Sequence, residues 1–225
     1  MQLNRMTRFL ISCGWIGPVL FTLVYTIDGA TRPGYNPLQH WISHLSLGPR
    51  GWLNILNLFV FGCLMIGFSF GLRRAIRAGR GAKWGPIFSG LIGISSMAAG
   101  LFVIDPNLGY PPDSAPEQSW HGSIHDLCGA VLFGSLTALC FVLSRRFSGN
   151  GQTYWAVYSN VSGALVLLSF IACSVMVSLK FSGAVTLHYS GLLERISLMT
   201  GCAWITVFSI HLLSLRGRDP LHKPE

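Results

Sequence analysis

The chain has 225 residues, of which 51% are hydrophobic and only 11% charged, with a formal net charge of +8. A soluble domain carries roughly 25% charged residues. This composition, with a mean hydropathy of +0.50, therefore excludes a water-facing globular surface and makes lipid the expected solvent.

Six apolar stretches follow one another, at about 9–27, 53–72, 86–104, 127–144, 156–179 and 192–215. Each is close to the ~20 residues that carry a helix across ~30 Å of hydrocarbon. In lipid, a lone segment satisfies its own backbone only as a helix. The first stretch follows Arg5 and Arg8, as the core of a signal peptide would. It is long, holds Gly14, Gly17 and Pro18, and has no convincing small-residue cleavage site after it, so it reads as a retained span. The loop that follows, "DGATRPGYNPLQHWISHLSLGPRGW" (28–52), is broken by Pro33, Pro37 and Pro49. A short amphipathic stretch at about 37–46 carries His40 and His44, with Ser43 and Ser46 beside them.

The second span ends "FGCLMIGFSFGLRR" and runs into a basic loop with Arg77, Arg80 and Lys83. The third carries Gly90, Gly93, Ser96, Ala99 and Gly100, small residues that predict tight packing of this helix at the centre of a bundle. Its exit loop, 105–125, has Asp105, Asp113 and Glu117 and no basic residue, and closes on "HGSIHD", with His121, His125 and Asp126. The fourth span ends "FGSLTALCFVLSRR", an echo of the second. Each half then reads as helix, aspartate, Gly-Tyr-Pro loop and return helix ending in Arg-Arg. The spacing between matching motifs is uneven, and both duplication and chance similarity of apolar helices stay open. A short third loop with His188 leads into "GLLERIS", where Glu194 and Arg195 open the sixth span. His211, deep in that span, reads as a packing residue.

Charge sets the orientation. Twelve Lys and Arg fall on the side of the termini and the 73–85 loop, and four on the other. Positive charge stays inside, so both termini are expected in the cytoplasm. The expected fold is an all-α polytopic membrane bundle of six transmembrane helices, three hairpins in one domain over 1–225, in a prokaryotic plasma membrane. The net charge is a topology signal. Without aromatic-basic interleaving or a soluble module, nucleic acid is not an expected partner; membrane lipids are. The six cysteines all lie in or at the edge of a span, without CxxC spacing, and read as packing residues. Trp84, Tyr154 and Trp155 at one edge, and Tyr25, Trp41, Trp52, Tyr110, Trp120 and Tyr189 at the other, suit aromatic belts.

The polar chemistry collects at the loops of the first two hairpins. His121 and His125 are four apart, on one helical face. That is the histidine spacing of HExxH zinc sites, but Gly-Ser-Ile intervenes, so the general-base Glu is missing. Asp105, with His40 or His44, would complete a set that leaves one position open for water, as catalytic zinc requires. Such a water is a nucleophile near neutral pH. Asp126 would orient a ligand, and His44 would serve as ligand or base. Ser43 beside His44, with Asp28 or Asp105, has the residue types of an activated nucleophile, but no GxSxG elbow surrounds it. The plainer reading is that imidazoles sit well at headgroup level without any ion. Arg32, Glu194 and Arg195 form a second set. Neighbours on a helix point about 100° apart, so Arg32 is the expected partner of Glu194, and Asp105 or Asp28 that of Arg195. These residues are either catalytic or a polar lock between the hairpins.

The stretches "RPGYNP…WISHLSLGPRGWL", "IDP", "HGSIHD" and "GLLERI" resemble those of the prokaryotic membrane family described as domain of unknown function 998, over about residues 10–215. The resemblance implies a six-helix membrane protein without an established activity. The family pattern often has an acid after the loop serine, where this chain has His44. The Ser-Asp-His-His set is also loosely similar to that of ceramidase and adiponectin-receptor-like membrane hydrolases, which hold zinc in a seven-helix bundle. Two functions follow. One is a membrane-embedded, zinc-dependent hydrolase or transferase acting on lipid at the exoplasmic face. The other is a small transporter or lipid-binding accessory protein whose polar cluster is a gate or lock. Convergence of the two histidine pairs on one point would favour the first.

Overall fold

Asn4 opens the first helix by accepting a hydrogen bond from the Thr7 N–H at 2.8 Å, a standard side-chain cap for an orphan donor. The computed structural model describes residues 4–79 and 81–215. Six helices follow: α1 (Arg5–Ala30), α2 (Gly51–Ala75), α3 (Trp84–Leu101), α4 (Trp120–Gly149), α5 (Thr153–Phe181) and α6 (Ser190–Ser214), with a 3-10 turn at Ile42–Ser46. All six are long and apolar enough to cross a membrane. Arg80, Arg216, Arg218 and Lys223, counted above for orientation, lie outside the described residues.

Each helix packs on its neighbour in sequence, and α6 returns to α1. The Arg8 guanidinium reaches the Leu213 carbonyl at 3.5 Å, which puts the start of α1 and the end of α6 at one end of the bundle. The result is a closed ring of six helices. Its centre is filled by large side chains of α2, α4 and α6, and Phe208 touches the rings of Phe68, Phe147 and Trp204. All four are fully buried. The outer faces carry exposed Leu, Ile, Val and Phe, as a lipid-facing surface would.

Lipid gives apolar helices no hydrophobic reason to associate, so close packing and interhelical hydrogen bonds hold such bundles together. Both devices are present. Gly62 of α2 faces Gly93 of α3 so closely that a Cβ on either would lie 2.6 Å from the other's carbonyl oxygen. Every neighbouring pair in the ring is also stitched by a polar side chain to a backbone carbonyl or hydroxyl. Asn57 donates to Phe21 O, Ser96 to Leu58 O, Ser144 to Ala156 O, Ser197 to Val166 O and Ser209 to Ile11 O. At the α3–α4 seam the stitch is His125.

Three sequence readings are corrected. Helix α3 lies in the wall of the ring against α2, and the centre belongs to α2, α4 and α6. Tyr25 and Tyr110 are buried, not belt residues, whereas Trp52, Trp84, Trp120, Tyr154 and Tyr189 are exposed. Helix α3 stops at Leu101 rather than 104.

Candidate functional site

The polar residues of interest all lie at the end of the bundle opposite the chain termini. Loop 31–50 covers that end and is fastened along its length. The Asp28 carboxylate is buried, its side chain 1% exposed, between Arg32 at 2.6 Å and Arg50 at 2.5 Å. The terminal nitrogens of Arg32 also donate to the carbonyls of Leu45, Leu47 and Arg50. From α6, Glu194 Oε2 accepts from the Ile42 N–H at 2.7 Å. Arg195 donates to the carbonyls of Pro37, His40 and Gly191 and to the Tyr35 hydroxyl. Gly191 is needed here because a side chain on it would strike the backbone of Pro37 and His40.

The expected partners are thus exchanged. Arg32 pairs with Asp28, not Glu194, and Arg195 meets carbonyls rather than Asp105 or Asp28. One carboxylate serves two guanidiniums because backbone carbonyls accept from their other terminal nitrogens. Arg32, Glu194 and Arg195 each join loop 31–50 to a helix end, Arg32 to α1 and the other two to α6.

The histidines of this loop face inward. His44 is fully buried. Its Nδ1 accepts from the Trp41 N–H at 3.0 Å, which leaves Nε2 to donate to Asn107 Oδ1 at 2.9 Å. Burial pushes its pKa down to about 3, so it is neutral with both nitrogens engaged. His40 packs among Tyr35, Tyr110 and His44, and its Nδ1 accepts from the Asn36 N–H at 3.0 Å. Burial first, then the neighbouring His188, lowers its pKa. Ser43 is half-buried, and its hydroxyl makes no hydrogen bond to either histidine.

The second loop is built differently. Asp105 accepts from both the N–H and the hydroxyl of Ser119, each at 2.6 Å. Ser119 in turn caps α4 by accepting from the Gly122 N–H at 3.1 Å. A side chain at position 122 would collide with the Asp105 carboxylate, so the glycine of "HGSIHD" makes this seat possible. His121 is exposed and lies against Trp120 and Phe102. His125 is buried, with Nδ1 at 3.0 Å from Ala99 O and 2.8 Å from Phe102 O. Both partners are acceptors, so Nδ1 carries the proton and Nε2 the lone pair. An imidazole N–H here also satisfies carbonyls left over at the end of α3.

The two histidine pairs do not converge. His44 has no free nitrogen, Asp105 is engaged by Ser119, and His121 faces out. Among the described residues no group of three or more His, Cys, Asp and Glu side chains is placed to hold a metal ion. The set His121, His125, Asp105 and His40 does not fit a single zinc.

What the structure brings together instead is a cavity of about 420 Å³ between the loop-side ends of α4 and α5. Its walls are apolar, with Phe133 and Ala130 of α4 facing Phe170 and Val177 of α5. Its polar members are Ser43, His125, Asp126, Glu194 and Ser174, whose hydroxyl is spent on the Phe170 carbonyl. Trp41 closes one side. The contributions of α5 were missed in the sequence, because Phe170 and Val177 look like any other residues of an apolar span.

A closed six-helix ring with a laterally placed, polar-ended cavity defines a class: the multi-pass helical membrane proteins. Within it, the chain belongs to the family described as "Protein of unknown function (DUF998)", whose pattern matches residues 15–211. No curated protein and no solved structure matches the chain.

Proposed function

We propose that the protein binds a membrane amphiphile in the cavity between α4 and α5, with the apolar chain between the two helices and the head at Ser43, His125, Asp126 and Glu194. The observation that carries this reading is the cavity's composition. An apolar pocket with a few convergent polar groups is the usual form of a ligand site, and this one sits between two helices whose outer faces suit lipid. The Lys and Arg asymmetry of the sequence supports a plasma-membrane orientation with the termini in the cytoplasm and hence a cavity on the exoplasmic side. The packed centre around Phe208 favours binding over transport.

Gly129 gives a clean test. It lines the cavity, and a Cβ built on it meets nothing within 4 Å. Gly129→Trp fills the space at little cost to folding. Native mass spectrometry of the full chain in mild detergent is expected to find one lipid per wild-type chain and none on Gly129→Trp, at equal melting temperature. Equal lipid retention by both would overturn the reading.

A second reading, chemistry on the bound head, is favoured by one observation. The two carbonyls that take the Nδ1 proton of His125 leave its Nε2 as a fixed proton acceptor in the cavity wall, the arrangement a general base needs. No zinc is part of this scheme. His125→Asn keeps an N–H near the Nδ1 position and removes Nε2. Lipid turnover by wild-type protein in vesicles, abolished in His125→Asn at unchanged melting temperature, is the outcome that supports catalysis; no turnover by wild type across the host membrane's lipid classes removes it.

A further inference from the structure

The cavity between α4 and α5 has a neighbour. A second space of about 490 Å³ lies on its loop side, under the 116–118 segment, and shares Trp41, Asp126 and Val177 with the first. Its charged lining is entirely acidic: Asp105, Glu117 and Asp126. Neither space is lined by a Lys or Arg. Asp105 is spent on Ser119. The carboxylates of Glu117 and Asp126, both exposed residues, make no hydrogen bond and no ion pair with any described residue, unlike those of Asp28 and Glu194.

An independent feature points the same way. His125 is only 6% exposed, its Nδ1 is committed to carbonyls, and its Nε2 lone pair has no partner. The open groups include two carboxylates and an imidazole lone pair, all acceptors, and the donors beside them, the Trp41 Nε1–H, the Gln118 amide and the Ser43 hydroxyl, are neutral. Such a site has no Lys or Arg to receive an anionic head end, and it matches a terminal cation that brings its own N–H donors. A primary ammonium has three donors; a quaternary ammonium has none.

We propose that the twin cavity selects an amphiphile whose head ends in a primary ammonium, held among Glu117, Asp126 and the Nε2 of His125, with its apolar chain between α4 and α5. The inference rests on the amphiphile reading above and adds the head-group class.

The test uses the full chain in mild detergent and three lysophospholipids with one acyl chain in common, ending in ethanolamine, choline or glycerol. Free ethanolamine is the fourth probe. Native mass spectrometry with equal amounts of each reads the ratio of adducts. The ethanolamine lysolipid is expected to exceed each of the other two about tenfold, since hydrogen bonds between charged partners are roughly twice as strong as neutral ones and about 1.4 kcal/mol is a factor of ten. In Glu117→Gln/Asp126→Asn the ratio should fall to near one while lysolipid binding persists. Equal adducts in the wild type, or selectivity unchanged in the double variant, overturns the head-group inference and leaves the amphiphile reading intact. Binding of free ethanolamine as tight as that of its lysolipid overturns the amphiphile part, because the chain would then contribute nothing. If no lysolipid binds, both fall.

Discussion

The two long loops at one end of this bundle follow opposite rules. In loop 31–50 the charges are spent: Asp28 between two guanidiniums, Arg195 on three carbonyls and a phenol, Glu194 on a backbone N–H. In the loop that enters α4, Asp105 is spent on the helix cap, while Glu117 and the nearby Asp126 face a cavity without a partner. Both loops are polar, the first with two arginines and the second with three acids and no basic residue, but charge alone does not tell which groups stay open. What separates them is whether polar capacity is consumed inside the fold. Consumed capacity builds structure, and capacity left open beside an apolar wall is what a ligand can use.

The contrast is broken most directly at Asp28. Asp28→Ala leaves Arg32 buried without its carboxylate, and breaking a buried pair from one side costs about 3–5 kcal/mol. A large drop in the melting temperature of the detergent-solubilised protein is expected, and a drop of a degree or less would show that the carbonyls suffice. The next effect in size is a pH dependence from His44. Its folded pKa is pushed down to about 3, below the ~6.5 of an unfolded histidine. The unfolded chain therefore binds more protons between those values. The stability contributed is complete above about pH 6.5 and is lost as pH falls toward 3. His40 and His188, also lowered by burial, act in the same direction. Melting curves from pH 7 to pH 4 should fall more steeply for wild type than for His44→Gln, and parallel curves would contradict a buried neutral imidazole. The smallest effect sharpens the other side of the contrast. Glu117→Gln/Asp126→Asn should change stability by less than about 0.5 kcal/mol, as surface substitutions without partners do. A larger loss would mean that these carboxylates belong to the structural set.

The fold was legible because lipid imposes simple demands. Six apolar stretches had to be helices, and the small residues of the third announced close packing. The helix ends were not legible from hydropathy. Helix α4 begins seven residues before its apolar run, at Trp120, because Ser119 and Asp105 cap a polar first turn. Helix α3 ends early at Leu101, and His125 takes up carbonyls at and just beyond its last turn. The site was half legible. Residue types and their side of the bundle could be read, so His125, Asp126, Ser43 and Glu194 were among the candidates. Their partners could not be read, because most of the hydrogen bonds made by Arg32, Arg195 and His125 go to backbone carbonyls. A carbonyl is present at every residue and leaves no mark in a sequence. The residues of the zinc set are not brought together among the described residues, because His121 is exposed, Asp105 is held by Ser119, and one nitrogen each of His40 and His125 is bonded to the backbone.

The ring closes through the contact of α6 with α1, sealed by the hydroxyl of Ser209 on the carbonyl of Ile11. These residues are 198 positions apart in the chain. Helix α1 must wait in the bilayer, one flank against α2 and the other against lipid, until α6 leaves the ribosome. Closure is then a single late event that covers the open flank of α1 and completes the wall that carries Glu194 and Arg195. A chain stopped short of α6 would keep five well-formed helices and lose the two side chains that fasten loop 31–50. Quality control could therefore recognise an unfinished molecule by an open seam rather than by an unfolded segment.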